Sequence, residues 1–257
     1  MNDKSSQLTI QSLEKGLILL ELFEESRSPL SLQDIWLKLK WNKATIYRML
    51  NTFQQRGYLQ KDPATKKYTL SVKILSLYNA FLSNFDIQQV VKPYLQQIVE
   101  KTSEEAHIAI TIDKHIVFID RMKSPKMIST NSEIGLSMPL HATALGKAYL
   151  AYVDPDQIIE KLDLPLQQFT SSTITDLDAL KQSLKEIKRK GYAVDDGEYE
   201  ADMRCVAAPV FKFPSAPFAV IGISGLNTHL TPEICEEYGQ FIKDISIQIS
   251  TRIGYGS

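Results

Sequence analysis

The chain has 257 residues, of which 44% are hydrophobic and 23% charged, and its formal net charge is −1. The length suits two domains or one large one, and the composition is that of a globular protein, which excludes disordered, collagen-like and fibrous classes. Apolar runs such as Leu17 to Leu20 and Ala219 to Ile223, and every other in the chain, fall far short of the roughly 18 to 20 residues that span a bilayer.

The opening MNDKSSQLTI has no export pattern, so a cytoplasmic location without a membrane partner is expected. Cys205 and Cys235 cannot build a disulfide framework, and neither sits in a C-x-x-C pair or at zinc-finger spacing from histidine, so no metal or cofactor is expected. The charge is split by position. Residues 1–70 carry 11 Lys and Arg against 7 Asp and Glu, and the remainder carries 18 against 23. Between Ser31 and Leu70 the 8 basic residues face only Asp34 and Asp62, a footprint suited to nucleic acid.

Ile10, Leu13, Leu17 and Leu20 recur along one face of a first helix, which fades at Glu24-Glu25-Ser26 and is broken by Arg27-Ser28-Pro29. Ser31, with Asp34 three residues on, predicts the cap of a second helix over 32–39. Lys40-Trp41-Asn42 then turns the chain, with Asn42 capping a third helix that runs to about Arg56 and stops at Gly57. Two short helices joined in this way form a helix-turn-helix.

Projected from Ile46, residues Met49, Leu50 and Phe53 fall at about 300°, 40° and 340°, a core stripe. The opposite side holds Ala44, Arg48, Asn51 and Gln55, with Tyr47 at its edge and no acid. Lys43, Thr45, Tyr47, Arg48 and Asn51 are therefore the candidates to meet bases or phosphates in a major groove. Taken singly, Arg48 reads as a solvated charge and Tyr47 as a packing residue; their setting decides otherwise. Tyr58–Lys61, the turn Asp62–Thr65 and Lys66–Leu70 predict a hairpin, hence a winged helix with Lys66 and Lys67 on the wing. Topology, acid-free face and basic wing together point to double-stranded DNA.

Ser71 to Asn84 reads as an apolar helix carrying Ile74, Leu75, Leu77, Tyr78, Phe81 and Leu82, whose face needs either its own domain or a second copy of the chain; a homodimer is the economical choice. The expected organisation is a DNA-binding domain over 1–70, a linker and dimerisation helix over 71–86, and an effector domain over 87–257. In the last, a helix near Val90 to Lys101 precedes strands at His107–Ile112 and Ile116–Arg121. Helices at Ala142–Ala151 and Asp176–Lys190 follow, then strands at Cys205–Phe211 and Phe218–Ser224 and a helix from Pro232. This is an α+β layout with helices beside a sheet.

Four features here can carry chemistry. His141-Ala-Thr-Ala-Leu-Gly-Lys147 is a small-residue turn entering a helix, whose free amides suit an anion. The others are Asp195, Cys205 and Ser224. Each also has a plain structural reading: tight packing, a small buried thiol, a capped strand end.

KATIYRMLNTFQQRGYL, PLHATALGKAYLA, FTSSTITD and GYAVDDGEYEADMRCVAAPVF, in that order, resemble the IclR family of bacterial transcriptional regulators over nearly the whole length. The resemblance implies a winged helix-turn-helix domain, a dimerising linker helix and a GAF-like mixed sheet with flanking helices. It implies that operator DNA, a small and usually acidic effector and a second copy of the chain are the partners, as a dimer or a dimer of dimers. Carried over position by position, the effector lining becomes Ala144, Leu145, Asp195, Cys205, Gly222 and Ser224. The chain departs from the family pattern at Ala144-Leu145, where Gly-Ala is usual, at Gly222 for Ser, Asp202 for Gly, Ala44 for Ser and Lys212 for Asp or Asn. Bulkier side chains and a missing hydroxyl reshape the pocket, so the effector's identity does not transfer.

A carboxylate ligand could take hydrogen bonds from the Ala144 and Leu145 amides and Ser224 while Asp195 accepts from a ligand hydroxyl, which suits a sugar acid or keto acid. The rival from another class is a thiol hydrolase using Cys205, with His141 as base and Asp195 as orienter. Against it, Cys205 lies in an apolar run, where burial raises a thiol's pKa. A metal sensor built on Cys205 and Cys235 lacks ligand spacing.

Overall fold

The structure, a computed structural model, describes residues 10–26, 28–83, 87–125, 133–213 and 216–255. It divides into two compact units, Met1–Phe85 and Asp86–Ser257.

In the first unit α1 (Gln11–Ser26), α2 (Leu32–Leu39) and α3 (Lys43–Gln55) precede a hairpin of β1 (Leu59–Lys61) and β2 (Tyr68–Leu70), and α4 (Lys73–Ser83) follows. The start of α2 is a full capping box: the Asp34 amide donates to Ser31 Oγ at 3.1 Å, and the Ser31 amide donates to Asp34 Oδ2 at 2.8 Å. Those bonds hold the Asp34 carboxyl below its usual range. Lys40 ends the helix in the left-handed region, and the Asn42 side chain accepts from the Ala44 amide at 2.9 Å to begin α3. These local contacts set the helix-turn-helix angle before any packing.

Leu19, Leu22, Phe23, Ile35, Ile46, Leu50, Leu59 and Tyr68 form the core, and Leu30 joins the hairpin through a bridge to Tyr68. Of the α1 face that periodicity singles out, Leu20 packs partly against this core and the rest points outward. Ile10 is 67% and Leu13 59% exposed, and Leu17 is exposed too, whereas Leu19, Leu22 and Phe23 pack inward. The helix is apolar on two faces, so spacing alone could not choose between them. On α4, Leu75 and Leu77 are also exposed; the side chains of Tyr78, Phe81 and Leu82 and residues 84–86 lie outside the described residues.

The second unit opens with α5 (Ile87–Thr102), then β3 (Glu105–Ile112), β4 (His115–Met122) and a short strand, β5 (Ser137–Pro139). Next come α6 (Ala144–Leu150), two 3-10 turns, α7 (Leu177–Lys190), β6 (Ala193–Asp196), β7 (Met203–Phe213), β8 (Ala216–Leu226) and α8 (Pro232–Arg252). The strands make one six-stranded sheet in the order β5-β4-β3-β8-β7-β6, with every neighbouring pair antiparallel. β5 and β6 are absent from the sequence reading because three and four residues are too short for an alternation signal.

Successive side chains of a strand point to opposite faces. One face, with Ala109, Phe118, Ala193, Ala207 and Val220, packs against α6 and α7. α5 and α8 serve the other; Ser250 of α8 accepts from the Phe211 amide at 2.9 Å. α7 is capped by Asp176 and ended by Gly191 at φ 87°, and buries Leu180, Leu184 and Ile187.

α6 reaches its position because residue 146 is glycine. A Cβ there would collide with the backbone of Leu140. The alanine gain in helix propensity, about 1 kcal/mol, is smaller than the cost of forcing that contact apart. Gly146→Ala is expected to destabilise the second unit by about 3 kcal/mol, read from the urea midpoint. An unchanged midpoint would mean α6 does not dock this closely.

Candidate functional site

On α3 the outward face is as the helix projection requires. Ala44, Arg48, Asn51 and Gln55 are exposed, Tyr47 is half exposed, Thr45 is partly covered, and Ile46 and Leu50 are buried. Lys43 is engaged within its own chain: its ammonium lies 4.4 Å over the Trp36 ring and donates to Gln33 Oε1 at 2.9 Å. On the wing, Asp62 accepts from the Ala64 amide and from the amide and hydroxyl of Thr65, which holds its carboxyl below the usual range and tightens the turn. Lys66, at φ 59°, and Lys67 project from it, both exposed.

The second site is a cavity of about 100 Å³ on the α6 side of the large sheet. The strand register builds its floor. Asp195, Cys205, Ser224 and Glu105 stand side by side across β6, β7, β8 and β3, one polar row. The next row is Ala193, Ala207, Gly222 and His107. Ala193 and Ala207 there are packed in the core, and of this row His107 is the residue that reaches the cavity wall.

Of the six residues expected to hold an effector, Ala144, Leu145, Asp195, Cys205 and Ser224 line this cavity. Gly222 does not. It lies in the neighbouring row between His107 and Ala207, where a Cβ would come within 2.5 Å of the Val206 carbonyl oxygen and 3.0 Å of the Ala207 Cβ. Thr143, His107, Phe118, Leu136, Met138, Tyr199, Glu200 and Met203 also line it. His107 was hidden inside an apolar run, and only its place opposite Gly222 brings it to the wall.

Thr143 caps α6: its hydroxyl accepts from the Gly146 amide at 3.1 Å and donates to the Pro139 carbonyl at 2.9 Å. Lys147, one turn on, is 1% exposed; its ammonium pairs with the Glu198 carboxylate and donates to the Val194 carbonyl at 2.9 Å. The Glu198 amide donates to Asp195 Oδ1 at 2.7 Å. Thr173 donates to the Glu198 carbonyl at 2.6 Å, and Thr170 to that of Gly197 at 2.6 Å. The loop after β6 is therefore pinned from three sides.

Burial pushes the Asp195 carboxyl up to about 7, against the opposing pull of Lys147 and the Glu198 amide. Burial, reinforced by the Asp195 charge, also lifts the Cys205 thiol far above its usual range; as a thiol it donates to Ser224 Oγ at 3.2 Å. Ser224 keeps its own proton for an acceptor in the cavity. His141 sits elsewhere, its Nε2 2.9 Å from the Gln167 carbonyl in a separate cleft, so the Cys-His-Asp arrangement of a thiol hydrolase is not assembled. Among the described residues no three His, Cys, Asp or Glu side chains converge on a metal position, and no helix is long and apolar enough to cross a membrane.

The family model for the C-terminal region of the bacterial transcriptional regulator IclR matches residues 79–251, and that for the IclR helix-turn-helix domain matches residues 12–63. The chain is 29% identical to the HTH-type transcriptional regulator XynR of Escherichia coli (strain K12), over 96% of this chain and 98% of that one. It is 27% identical to the HTH-type transcriptional repressor AllR of Klebsiella pneumoniae, over 98% and 93%. Among solved structures, the Thermotoga maritima IclR superposes with a TM-score of 0.74 at 28% identity, over 96% and 100% of the two chains. An IclR homolog from Microbacterium hydrocarbonoxydans, complexed with 4-hydroxybenzoate, shares the fold with a TM-score of 0.82 at 21% identity, over 94% and 98%.

The raised Asp195 pKa has a signed consequence. Between the ordinary 3.8 and about 7 the folded chain holds a proton that the unfolded chain has lost. This group's contribution to stability is thus complete below about pH 4 and is lost as the pH rises through 7. Asp195→Asn keeps the acceptor without a charge to bury, so its melting temperature should exceed that of wild type at pH 8. Calorimetry should show the gap narrowing as the pH falls to 5; a gap independent of pH would remove burial as the cause.

Proposed function

Because the chain belongs to the IclR family of bacterial transcriptional regulators, DNA-binding proteins with a C-terminal effector domain, we propose that a small acid bound in the α6 cavity controls its grip on operator DNA. The domain plan is DNA binding over 1–70, a linker and dimerisation helix over 71–86, and effector binding over 87–257. Arg48, Tyr47, Thr45 and Asn51 read the major groove, and Lys66 and Lys67 hold phosphate from the wing. Lys43 joins them by exchanging Gln33 for a phosphate. The acid-free outward face of α3 carries this reading, because any carboxylate there would face the phosphate backbone.

The exposed Ile10, Leu13 and Leu17 of α1 and Leu75 and Leu77 of α4 support a homodimer, since apolar surface of this kind is covered in a stable assembly. Two copies also match two operator half-sites.

In the cavity, the effector's carboxylate takes hydrogen bonds from Ser224 and from the Ala144 and Leu145 amides, while Asp195 accepts from a ligand hydroxyl. The space of about 100 Å³ is smaller than the roughly 150 Å³ cavity that admits benzene, which favours a short keto or hydroxy acid over a full sugar acid. An IclR homolog of the same fold is complexed with 4-hydroxybenzoate, likewise a carboxylic acid but an aromatic one larger than this space. Control of DNA binding requires that the acid favour one dimer conformation, typically by about 1 to 3 kcal/mol. A thiol hydrolase is set aside by the family and by the un-ionised, hydrogen-bonded Cys205 thiol.

Arg48→Ala is expected to weaken binding to a fragment of the protein's own promoter and to lower the salt slope by about one charge. Gel shifts at several salt concentrations measure both, and unchanged retention would remove α3 as the reading helix. Titration calorimetry with short keto and hydroxy acids should show binding to wild type that Ser224→Ala weakens about tenfold or more throughout, and that Asp195→Ala weakens for acids carrying a hydroxyl beyond the 2-position. Equal binding by both variants would dismiss the cavity assignment.

A further inference from the structure

His107 is the polar group of the cavity wall that the sequence reading did not use. It is 1% exposed, its ring meets Phe118 edge-on at 5.0 Å, and its Nδ1 has no hydrogen-bond partner among the described residues. A buried polar atom left unpaired costs about 1 to 3 kcal/mol, so a histidine kept at a cavity wall in this state calls for a partner from inside the cavity. Phenylalanine would fill the same place against Phe118 without that cost.

The position of the ring specifies the partner. His107 is directly opposite Gly222, and Ser224 is two residues further along the same strand. They are diagonal neighbours on one face, about 7 to 8 Å apart at their backbones. An acid with an oxygen on the carbon next to its carboxylate has its two polar groups about 3 Å apart by standard bond lengths. With a hydrogen bond of about 2.8 Å at each end it spans that diagonal. Asp195, two strands from Ser224 on the opposite side, stands roughly 10 Å away at the backbone and cannot serve the same oxygen.

We propose that His107 is a specificity-determining residue of the effector cavity, hydrogen-bonding the 2-oxo or 2-hydroxy oxygen of a short carboxylic acid whose carboxylate rests on Ser224. The assignment rests on the cavity reading given above and adds the position of the second oxygen. Burial pushes the imidazole pKa down to about 3, so the ring is neutral at physiological pH. A neutral imidazole offers one donor and one acceptor, which serves a ketone or a hydroxyl equally and gives a second carboxylate no ion pair.

The test uses the full-length chain and two pairs of probes, pyruvate with propionate and 2-hydroxybutyrate with butyrate, by titration calorimetry. Each pair differs only in the oxygen assigned to His107. Wild type should prefer the oxygenated acid about tenfold or more in at least one pair. His107→Phe should bind both acids of that pair within about twofold of each other, by losing the oxygenated acid and keeping the plain one. His107→Gln, which restores a donor and an acceptor, should recover part of the preference. The nitrogen-15 resonances of the His107 ring in wild type should move on adding pyruvate or 2-hydroxybutyrate and stay with propionate and butyrate, a readout that needs no variant to fold. Failure of wild type to bind any of the four, or undiminished binding by Ser224→Ala, overturns the cavity reading and the His107 assignment with it. If Ser224→Ala loses the acids while His107→Phe keeps both affinity and preference, only the His107 assignment is overturned.

Discussion

A lysine in the interior holds the effector unit's working end together. Lys147 is enclosed between α6 and the sheet, and its ammonium meets the Glu198 carboxylate and the Val194 carbonyl. Removing two charges from water costs several kcal/mol per ion, so such a pair contributes little net stability. Its effect is positional. Breaking it would strand the other charge at a cost of about 3 to 5 kcal/mol, which makes any arrangement that separates α6 from the loop after β6 inaccessible. Glu198 in turn gives its amide to Asp195 and its carbonyl to Thr173. The start of α6, the Asp195 carboxyl and the loop carrying Tyr199 are therefore tied together by one ion pair and its hydrogen bonds.

The cavity also depends on register. Asp195, Cys205, Ser224 and His107 come from four strands spread over nearly 120 residues, and antiparallel pairing alone sets them in adjacent rows. A slip of one residue would turn every one of them to the α5 and α8 face. The register is held by burial: Val206, Ala208, Ile221 and Ile223 alternate with the cavity residues and fill the opposite core. The polar floor thus relies on the apolar residues between its members.

The reading helix is organised by shorter-range forces. A capping box, a left-handed lysine and an asparagine cap shape the helix-turn-helix within a dozen residues. The exposed face of α3 then follows from which residues must be buried beneath it. Its charge needs no compensation from its own chain, apart from Lys43, which is stacked on Trp36.

Sequence alone determined what neighbours in the chain decide. Ser31 with Asp34, Asn42, Asp176 and Gly191 marked helix ends through bonds to the next few residues, and the 3.6-residue stripe of α3 separated its core from its outward face. The motifs around Ala144, Asp195, Cys205 and Ser224 carried the family and part of the cavity lining. Tertiary structure decided the rest. It chose which apolar face of α1 packs, buried Lys147 on Glu198, left Gly222 out of the cavity lining, and brought His107 to the wall. Each of these depends on a partner fifteen or more residues away, and periodicity carries no information about which distant strand or helix will stand opposite.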